Sequence, residues 1–148
     1  MSTFYSLLLP KKVTQQLYEV RTQLFRQSGD SSFRKLEPWI VLGETEDTSL
    51  EKQVSCPQLP LPCSSNATFQ NQVLFLSIPD DAVKALRTEL GINHPYTGIY
   101  LGEADLPCNV ELPPIDDVRL ALVEIQDKGE LTTWRILAEK HLQRDRGL

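Results

Sequence analysis

The sequence has only two histidines, three cysteines and one methionine, and it has no long hydrophobic segment. A membrane-spanning helix needs about 20 consecutive apolar residues, and no run approaches that length, so we expect no membrane partner. The opening stretch FYSLLLP is too short for a secretory signal, and no basic residues precede it. These absences predict a cytoplasmic protein.

The cysteines are also too few and too scattered to form a disulfide framework or a metal site. Cys56, Cys63 and Cys108 are odd in number and form no Cys-x-x-Cys pair, which argues against disulfides. Neither histidine lies near Cys56 or Cys63 in sequence, so no metal-ligand spacing is present. We interpret all three as ordinary thiols and predict no metal and no cofactor.

Basic residues are outnumbered by acidic residues, 15 to 20, so the formal net charge is -5 at pH 7. Such a surface repels polyanions, so we expect no binding to duplex DNA. The basic residues of the first quarter could still form a local groove, but we interpret them as solvated faces of a helix and a loop. They are Lys11, Lys12, Arg21, Arg26, Arg34 and Lys35.

The most informative feature of the sequence is an order of elements that occurs twice: strand, proline, helix, strand and Leu-Gly-Glu. In the first repeat, FYSLLLP predicts a buried strand that ends at Pro10, because proline cannot continue a ladder. An apolar stripe at helical spacing follows and ends at Gly29, and Pro38 then precedes the strand-like WIVLGE. The stripe consists of Val13, Leu17, Val20 and Leu24.

The second repeat has the same order. QVLFLSIP predicts a strand ending at Pro79, a helical stripe runs to Gly91, and Pro95 precedes YTGIYLGE. Its stripe consists of Val83, Leu86 and Leu90. Both repeats close on Leu-Gly-Glu, at residues 42–44 and 101–103, which favours a genuine internal repeat over coincidence.

The remaining segments predict irregular connections and a terminal hairpin. Prolines exclude a helix within residues 56–63 and favour an extended segment there. VRLALVEI predicts a strand, a turn follows at residues 127–130, and LTTWRILAEKHL predicts a second strand, with a helix as the alternative. In the strand interpretation, Trp134, Ile136 and Ala138 share one face.

These pieces resemble the LigT-like two-histidine phosphoesterases, the superfamily of 2′-5′ RNA ligases and cyclic phosphodiesterases. The resemblance covers nearly the whole chain and is most specific in FYSLLLPKKVTQQLYEVRTQL, WIVLGET and the closing VRLALVEIQDKGELTTWRILAEKHL. It implies an α+β fold in which two pseudo-symmetric strand-helix-strand lobes with antiparallel sheets surround a central groove. It also implies one domain, 1–148, with lobes at roughly 1–45 plus the C-terminal hairpin and at 67–105.

The chemistry of that superfamily depends on two His-x-Thr (or Ser) motifs that face each other across the groove. One imidazole activates water and the other protonates the leaving oxygen, which suits a side chain with a pKa near neutrality. The hydroxyl two positions along the strand points to the same face and can donate to the phosphate.

The first repeat of this sequence lacks that motif. Counted from Pro38, the histidine and threonine positions hold Trp39 and Val41. Counted back from Leu-Gly-Glu instead, they hold Leu36 and Pro38. No register places a histidine here.

The second repeat is nearer but also departs from the motif. His94 and Thr97 are three residues apart, so an extended strand would point them to opposite faces. Counted from Pro95, the two positions hold Tyr96 and Gly98. We regard His94 and Thr97 as remnant candidates for catalysis and predict no confident catalytic residue.

Three functions remain open. The first is a histidine-depleted, inactive homologue that binds a nucleotide or RNA end, with groove candidates Trp39, Val41, Tyr96 and Tyr100 and base stacking on the aromatic rings. The second is a protein-interaction module, which predicts an exposed apolar patch. The third is a weak cyclic phosphodiesterase in which His94 lies within reach of a second titratable group.

Overall fold

The computed structural model describes residues 2–127 and 132–142, which form seven strands and two α-helices. The strands are β1 (Ser2–Leu8), β2 (Ile40–Thr45), β3 (Ala67–Gln70), β4 (Val73–Ser77), β5 (Gly98–Gly102), β6 (Val118–Asp127) and β7 (Thr132–Leu142). The helices are α1 (Lys11–Ser28) and α2 (Lys84–Leu90), and short 3-10 turns occupy Ser31–Arg34 and Asp80–Ala82. No helix within these ranges is long and apolar enough to span a membrane.

All strands join one antiparallel sheet in the order β3-β4-β5-β2-β1-β6-β7. The predicted α+β class is therefore confirmed, and the strands of both repeats lie in one continuous sheet. The junction between the repeats is narrow: Ile40 of β2 pairs with Ile99 of β5, and the Tyr100 amide donates to the Trp39 carbonyl at 3.1 Å. Ile40 and Ile99 each lie two residues before the leucine of Leu-Gly-Glu, so the repeats meet at equivalent positions.

Both helices end where the sequence predicts. Gly29 and Gly91 adopt the left-handed conformation, each with φ of 70°, which glycine accepts without steric cost. The apolar stripes of both helices pack in the main core beside Ile40, Leu42, Ile99 and Leu101. Burying these faces stabilises the helices more than their intrinsic propensity does.

The opposite face of the sheet carries a second, smaller apolar cluster. Ala121 and Val123 of β6 alternate with Leu120 and Leu122 of the main core, so they point to the other side. Trp39 packs on Ala121 and Val123.

A bulge occurs at the same place in both repeats. On β2, Gly43 pairs with Tyr5 and Val41 with Ser6, which leaves Leu42 as the extra residue. On β5, Gly102 pairs with Leu74 and Tyr100 with Phe75, which leaves Leu101 as the extra residue. The leucine of each Leu-Gly-Glu motif is therefore a bulge residue, and the repeated motif encodes a repeated backbone distortion.

At the glycine of each motif, the segment that follows the helix of the other repeat packs directly against the backbone. A Cβ on Gly43 would lie 2.5 Å from the Asn93 carbonyl oxygen, in the segment that follows α2. A Cβ on Gly102 would overlap the ring of Phe33, in the segment that follows α1. Glycine is needed at both positions because the two halves of the molecule pack into each other there.

One detail adds to the sequence prediction, which left the strand or turn within residues 45–71 unplaced, and another corrects it. β3 pairs with β4 in a tight hairpin whose turn residues, Asn71 and Gln72, have φ of 52° and 64°. On β7, Ile136 pairs with Val123 and Ala138 with Leu122, so Leu137 is a bulge residue. The bulge moves Ala138 to the opposite face, which corrects its predicted alignment with Trp134 and Ile136. The predicted turn at residues 127–130 lies largely outside the described residues.

Candidate functional site

The structure places His94, Tyr96 and Thr97 around one cavity of about 600 Å³. The cavity lies between α2 with its preceding turn and the segment that leads into β5. Its charged lining residues are Asp80, Asp81, Lys84 and Arg87, and its remaining lining residues are Thr88, Ile92, Asn93 and Pro95. We refer to it as the His94 cavity.

Arg87 forms the wall of this cavity and is only 9% exposed. Its Nε donates to the Leu42 carbonyl at 3.0 Å, and its Nη2 donates to the carbonyls of Val41 and Tyr96, each at 3.2 Å. Its Nη1 donates to the Thr97 hydroxyl oxygen at 2.6 Å. These four bonds use four of the five guanidinium hydrogens, which leaves one on Nη1 for a ligand.

His94 is held neutral by its surroundings. Burial lowers its pKa from 6.5 to about 4, and the positive charge of Arg87 acts in the same direction. Its ring packs edge-on against Tyr96 with centroids 4.7 Å apart. Its Nε2 is buried and has no hydrogen-bond partner among the described residues.

Tyr96 and Thr97 are both buried in the walls. Tyr96 stacks on Phe75 with ring centroids 4.6 Å apart, and burial raises the pKa of its phenol. The Thr97 hydroxyl accepts from Arg87 and keeps its own proton for donation. Both side chains are therefore positioned by packing or hydrogen bonding before any ligand enters.

The groove candidates of the first repeat lie elsewhere. Val41 contributes only its backbone carbonyl to the Arg87 network. Trp39 is 7% exposed and packs edge-on against Trp134 of β7, with ring centroids 5.0 Å apart. Trp39 is therefore occupied in packing and offers little free surface for stacking a base.

Tyr100 is also buried, beside Arg21. Its hydroxyl lies 3.5 Å from the Ser32 carbonyl, and the Arg21 guanidinium lies 6.0 Å from the centre of its ring. Arg21 is only 4% exposed and donates from Nε to the Leu101 carbonyl at 3.1 Å. The interpretation of Arg21 as a solvated residue is wrong, because this arginine faces inward from α1.

The first repeat supplies no imidazole opposite His94. His94 lies seven residues before Leu101, and the residue seven before Leu42 is Lys35. Lys35 forms ion pairs with Glu103 at 3.3 Å and Asp127 at 3.1 Å. The other histidine, His141, is paired with Asp117 and does not line the His94 cavity.

The described part of the chain therefore places hydrogen-bond donors and one neutral imidazole in the His94 cavity, without a second imidazole beside them. It contains no cluster of three or more histidine, cysteine or acidic side chains that could hold a metal ion. Sequence reasoning found His94 and Thr97 but missed Arg87. The signal for it is helical spacing, because Arg87 lies four residues after Val83 and three before Leu90 and so falls on the apolar stripe of α2.

The sequence matches no protein-family model and no curated protein. Its structure is similar to TT0787 of Thermus thermophilus, with a TM-score of 0.64 and 14% identity over 99% of this chain and 100% of that one. It is also similar to LigT of E. coli, crystallised in its apo form, with a TM-score of 0.60 and 17% identity over 97% and 98%. A third similar structure is a phosphoesterase, with a TM-score of 0.53 and 14% identity over 97% and 99%. The chain has the LigT-like phosphoesterase fold.

Proposed function

We propose that this chain binds a nucleotide or an RNA end in the His94 cavity and does not hydrolyse it. The observation that carries the proposal is the lining of the cavity, in which His94 lies beside the buried Arg87 and no second histidine is present. Such a site can recognise a ligand and cannot complete a two-histidine reaction. The proposal also locates the protein in the cytoplasm.

Hydrolysis of a cyclic phosphodiester needs one group to accept a proton from water and another to protonate the leaving oxygen. Burial and the charge of Arg87 lower the pKa of His94 to about 4, which disfavours the protonated imidazole that a general acid requires. His94 is also a weak base at that pKa. Lys35, at the equivalent position of the first repeat, is already paired with two carboxylates.

Binding is supported by the shape and chemistry of the cavity. Its volume of about 600 Å³ lies within the range of small-molecule sites, about 300–1,000 Å³. Lys84, the remaining Nη1 hydrogen of Arg87 and the Thr97 hydroxyl can donate to phosphate oxygens. The neutral His94 ring can offer a base or sugar one nitrogen, Nδ1, because its Nε2 is buried.

The charges around the cavity predict modest affinity. The positive Lys84 and Arg87 are balanced by the acidic Asp80 and Asp81. Because long-range attraction nearly cancels, we expect binding to depend on direct hydrogen bonds and to fall only slightly as salt increases.

Calorimetric titration with 2′,3′-cyclic and 3′-phosphorylated nucleotides tests this proposal. We expect Lys84→Ala to weaken binding by about tenfold, because it removes a charged donor worth about 1.4 kcal/mol. Lys12→Ala is the matched control, since Lys12 is an exposed lysine on α1 outside the cavity. Absence of binding in the wild type, or equal loss in both variants, contradicts the proposal.

A second candidate, a protein-interaction module on the same scaffold, is favoured by a different observation. The described residues include five large apolar side chains that are substantially exposed, and three of them lie close together on β7. These three are Trp134, Ile136 and Leu137, which are 39%, 40% and 39% exposed.

A further inference from the structure

Within the described residues, β7 is the last strand on one side of the sheet and, at 11 residues, the longest strand. One edge of its main chain pairs with β6, so its outward-pointing N–H and C=O groups can accept another strand. The opposite edge of the sheet is β3, which has only four residues. Short edge strands are a common protection against unwanted pairing, and β7 lacks that protection.

The two halves of β7 differ in accessibility. The C-terminal half is approached by the segment after β2, because the Lys140 ammonium donates to the Lys52 carbonyl at 2.6 Å and Cys56 lies against the Leu142 carbonyl. The Leu137 bulge separates that half from Thr132–Ile136. The N-terminal half pairs regularly with β6 and contains neither proline nor lysine.

The exposed side chains of this half follow a simple alternation. Trp134 and Ile136 pair with Ile125 and Val123, so they share the face of the smaller apolar cluster. Arg135 points to the other face, and its side chain is 70% exposed. Its only described hydrogen bond runs from Nε to Glu124, at 3.1 Å, which leaves its outer nitrogens accessible.

We propose that Thr132–Ile136 binds an extended peptide by strand addition. The peptide fitted to this edge has about five residues, with apolar side chains on both sides of a central acidic one. Main-chain hydrogen bonds provide the affinity, and alternate side chains provide the specificity. The acidic residue lies opposite Arg135, and the apolar residues extend the surface formed by Trp134 and Ile136.

A second copy of this chain fits the edge less well. Thr132–Ile136 contains no acidic residue, so an identical strand cannot place a carboxylate opposite Arg135. Glu139 lies beyond the bulge and pairs with Ala121, on the face opposite to that of Arg135. The charge pattern therefore favours a different, acidic partner. Strand addition thus specifies an acidic peptide as the partner for the protein-interaction function. It does not depend on nucleotide binding.

The test uses the full chain and a fluorescein-labelled peptide of sequence Thr-Val-Glu-Val-Thr, with Thr-Val-Lys-Val-Thr as the matched control. We expect the glutamate peptide to bind about tenfold more tightly. Arg135→Gln should remove this preference, and it should fold normally because Arg135 is exposed and glutamine places no second carboxylate opposite Glu124. Hydrogen exchange should slow at residues 133–136 when the glutamate peptide is bound.

Several results would overturn the inference. Strand addition at Arg135 would be excluded if neither peptide bound or if both peptides bound equally. It would also be excluded if N-methylation of the peptide backbone left the affinity unchanged. Concentration-dependent dimerisation that Ile136→Lys abolishes would assign the edge to a second copy instead. Loss of nucleotide binding alone would leave the peptide result unaffected, so the two proposals fail independently.

Discussion

Arg21 and Arg87 form the same bond, each from the helix of its own repeat to a strand of the other repeat. Arg21 on the first helix donates from Nε to Leu101 in the second repeat at 3.1 Å, and Arg87 on the second helix donates from Nε to Leu42 in the first at 3.0 Å. Each acceptor is the bulge leucine of a Leu-Gly-Glu motif. The bulge exposes a carbonyl that the regular ladder would use, and an arginine from the other repeat satisfies it.

The two arginines differ in what they contribute to stability. Arg87 makes four described hydrogen bonds, whereas Arg21 makes one and has a buried Nη2 without a partner among the described residues. We expect Arg87→Met to lower the free energy of unfolding by about 3 kcal/mol, because buried carbonyls lose their donors. Arg21→Met should cost about 1 kcal/mol or less. Urea unfolding of both variants measures the difference, and equal losses would contradict it.

The glycines of the Leu-Gly-Glu motifs should not tolerate alanine. A methyl group on Gly43 would press on the Asn93 carbonyl, and one on Gly102 would press on the Phe33 ring. We expect each substitution to destabilise the protein by about 1–3 kcal/mol, as overpacking does. Gly43→Ala should be the worse of the two, because a backbone oxygen moves less easily than a ring. Thermal unfolding that ranks them in the reverse order would count against this packing.

Replacing Trp39 or Trp134 with alanine should lower the free energy of unfolding by unequal amounts. Trp39 is 7% exposed and Trp134 is 39% exposed, although their rings contact each other. We expect Trp39→Ala to cost about 3–5 kcal/mol through the cavity that it leaves. Trp134→Ala should cost about 1 kcal/mol, mainly the aromatic contact. Chemical denaturation of both variants provides the comparison, and a larger loss at Trp134 would be inconsistent with this arrangement.

His94 predicts a pH dependence of stability. Its pKa is about 4 in the folded protein against 6.5 ordinarily, so between these values the unfolded chain binds more protons. The free energy of unfolding should therefore fall as the pH is lowered from about 6.5 to 4, by about 1–2 kcal/mol for this partly exposed group. His94→Gln should remove that part of the dependence. An NMR titration of the His94 ring with a midpoint near 6.5 would refute the explanation.

Much of the fold could be predicted from local patterns. Proline ended the first strand, and a glycine ended each helix. The doubled Leu-Gly-Glu motif correctly identified equivalent strands. The β3-β4 hairpin was missed because its turn uses Asn71 and Gln72 at positive φ, where glycine is the usual signal. The Ala138 error arose because a bulge resets the alternation of a strand without a mark in the sequence.

The candidate site was less predictable. His94, Tyr96 and Thr97 are close in sequence, so their placement around one cavity follows from local proximity. The roles of Arg21 and Arg87 depend on carbonyls 80 and 45 residues away, respectively. Helical spacing places both arginines on the apolar stripes of their helices, but it does not identify the carbonyls to which they donate. The burial of Trp39 likewise depends on β6 and β7, which lie far along the chain. The division into two lobes within one domain stays a prediction.

The most direct test of the account is a hydrolysis assay with 2′,3′-cyclic nucleotides and short 2′-5′-linked oligonucleotides, at high protein concentration and long incubation. Wild type and His94→Ala are compared beside nucleotide binding by the same two proteins. We predict nucleotide binding by the wild type and no His94-dependent turnover. Turnover that disappears in His94→Ala would show that His94 is a working acid or base and would contradict the central claim.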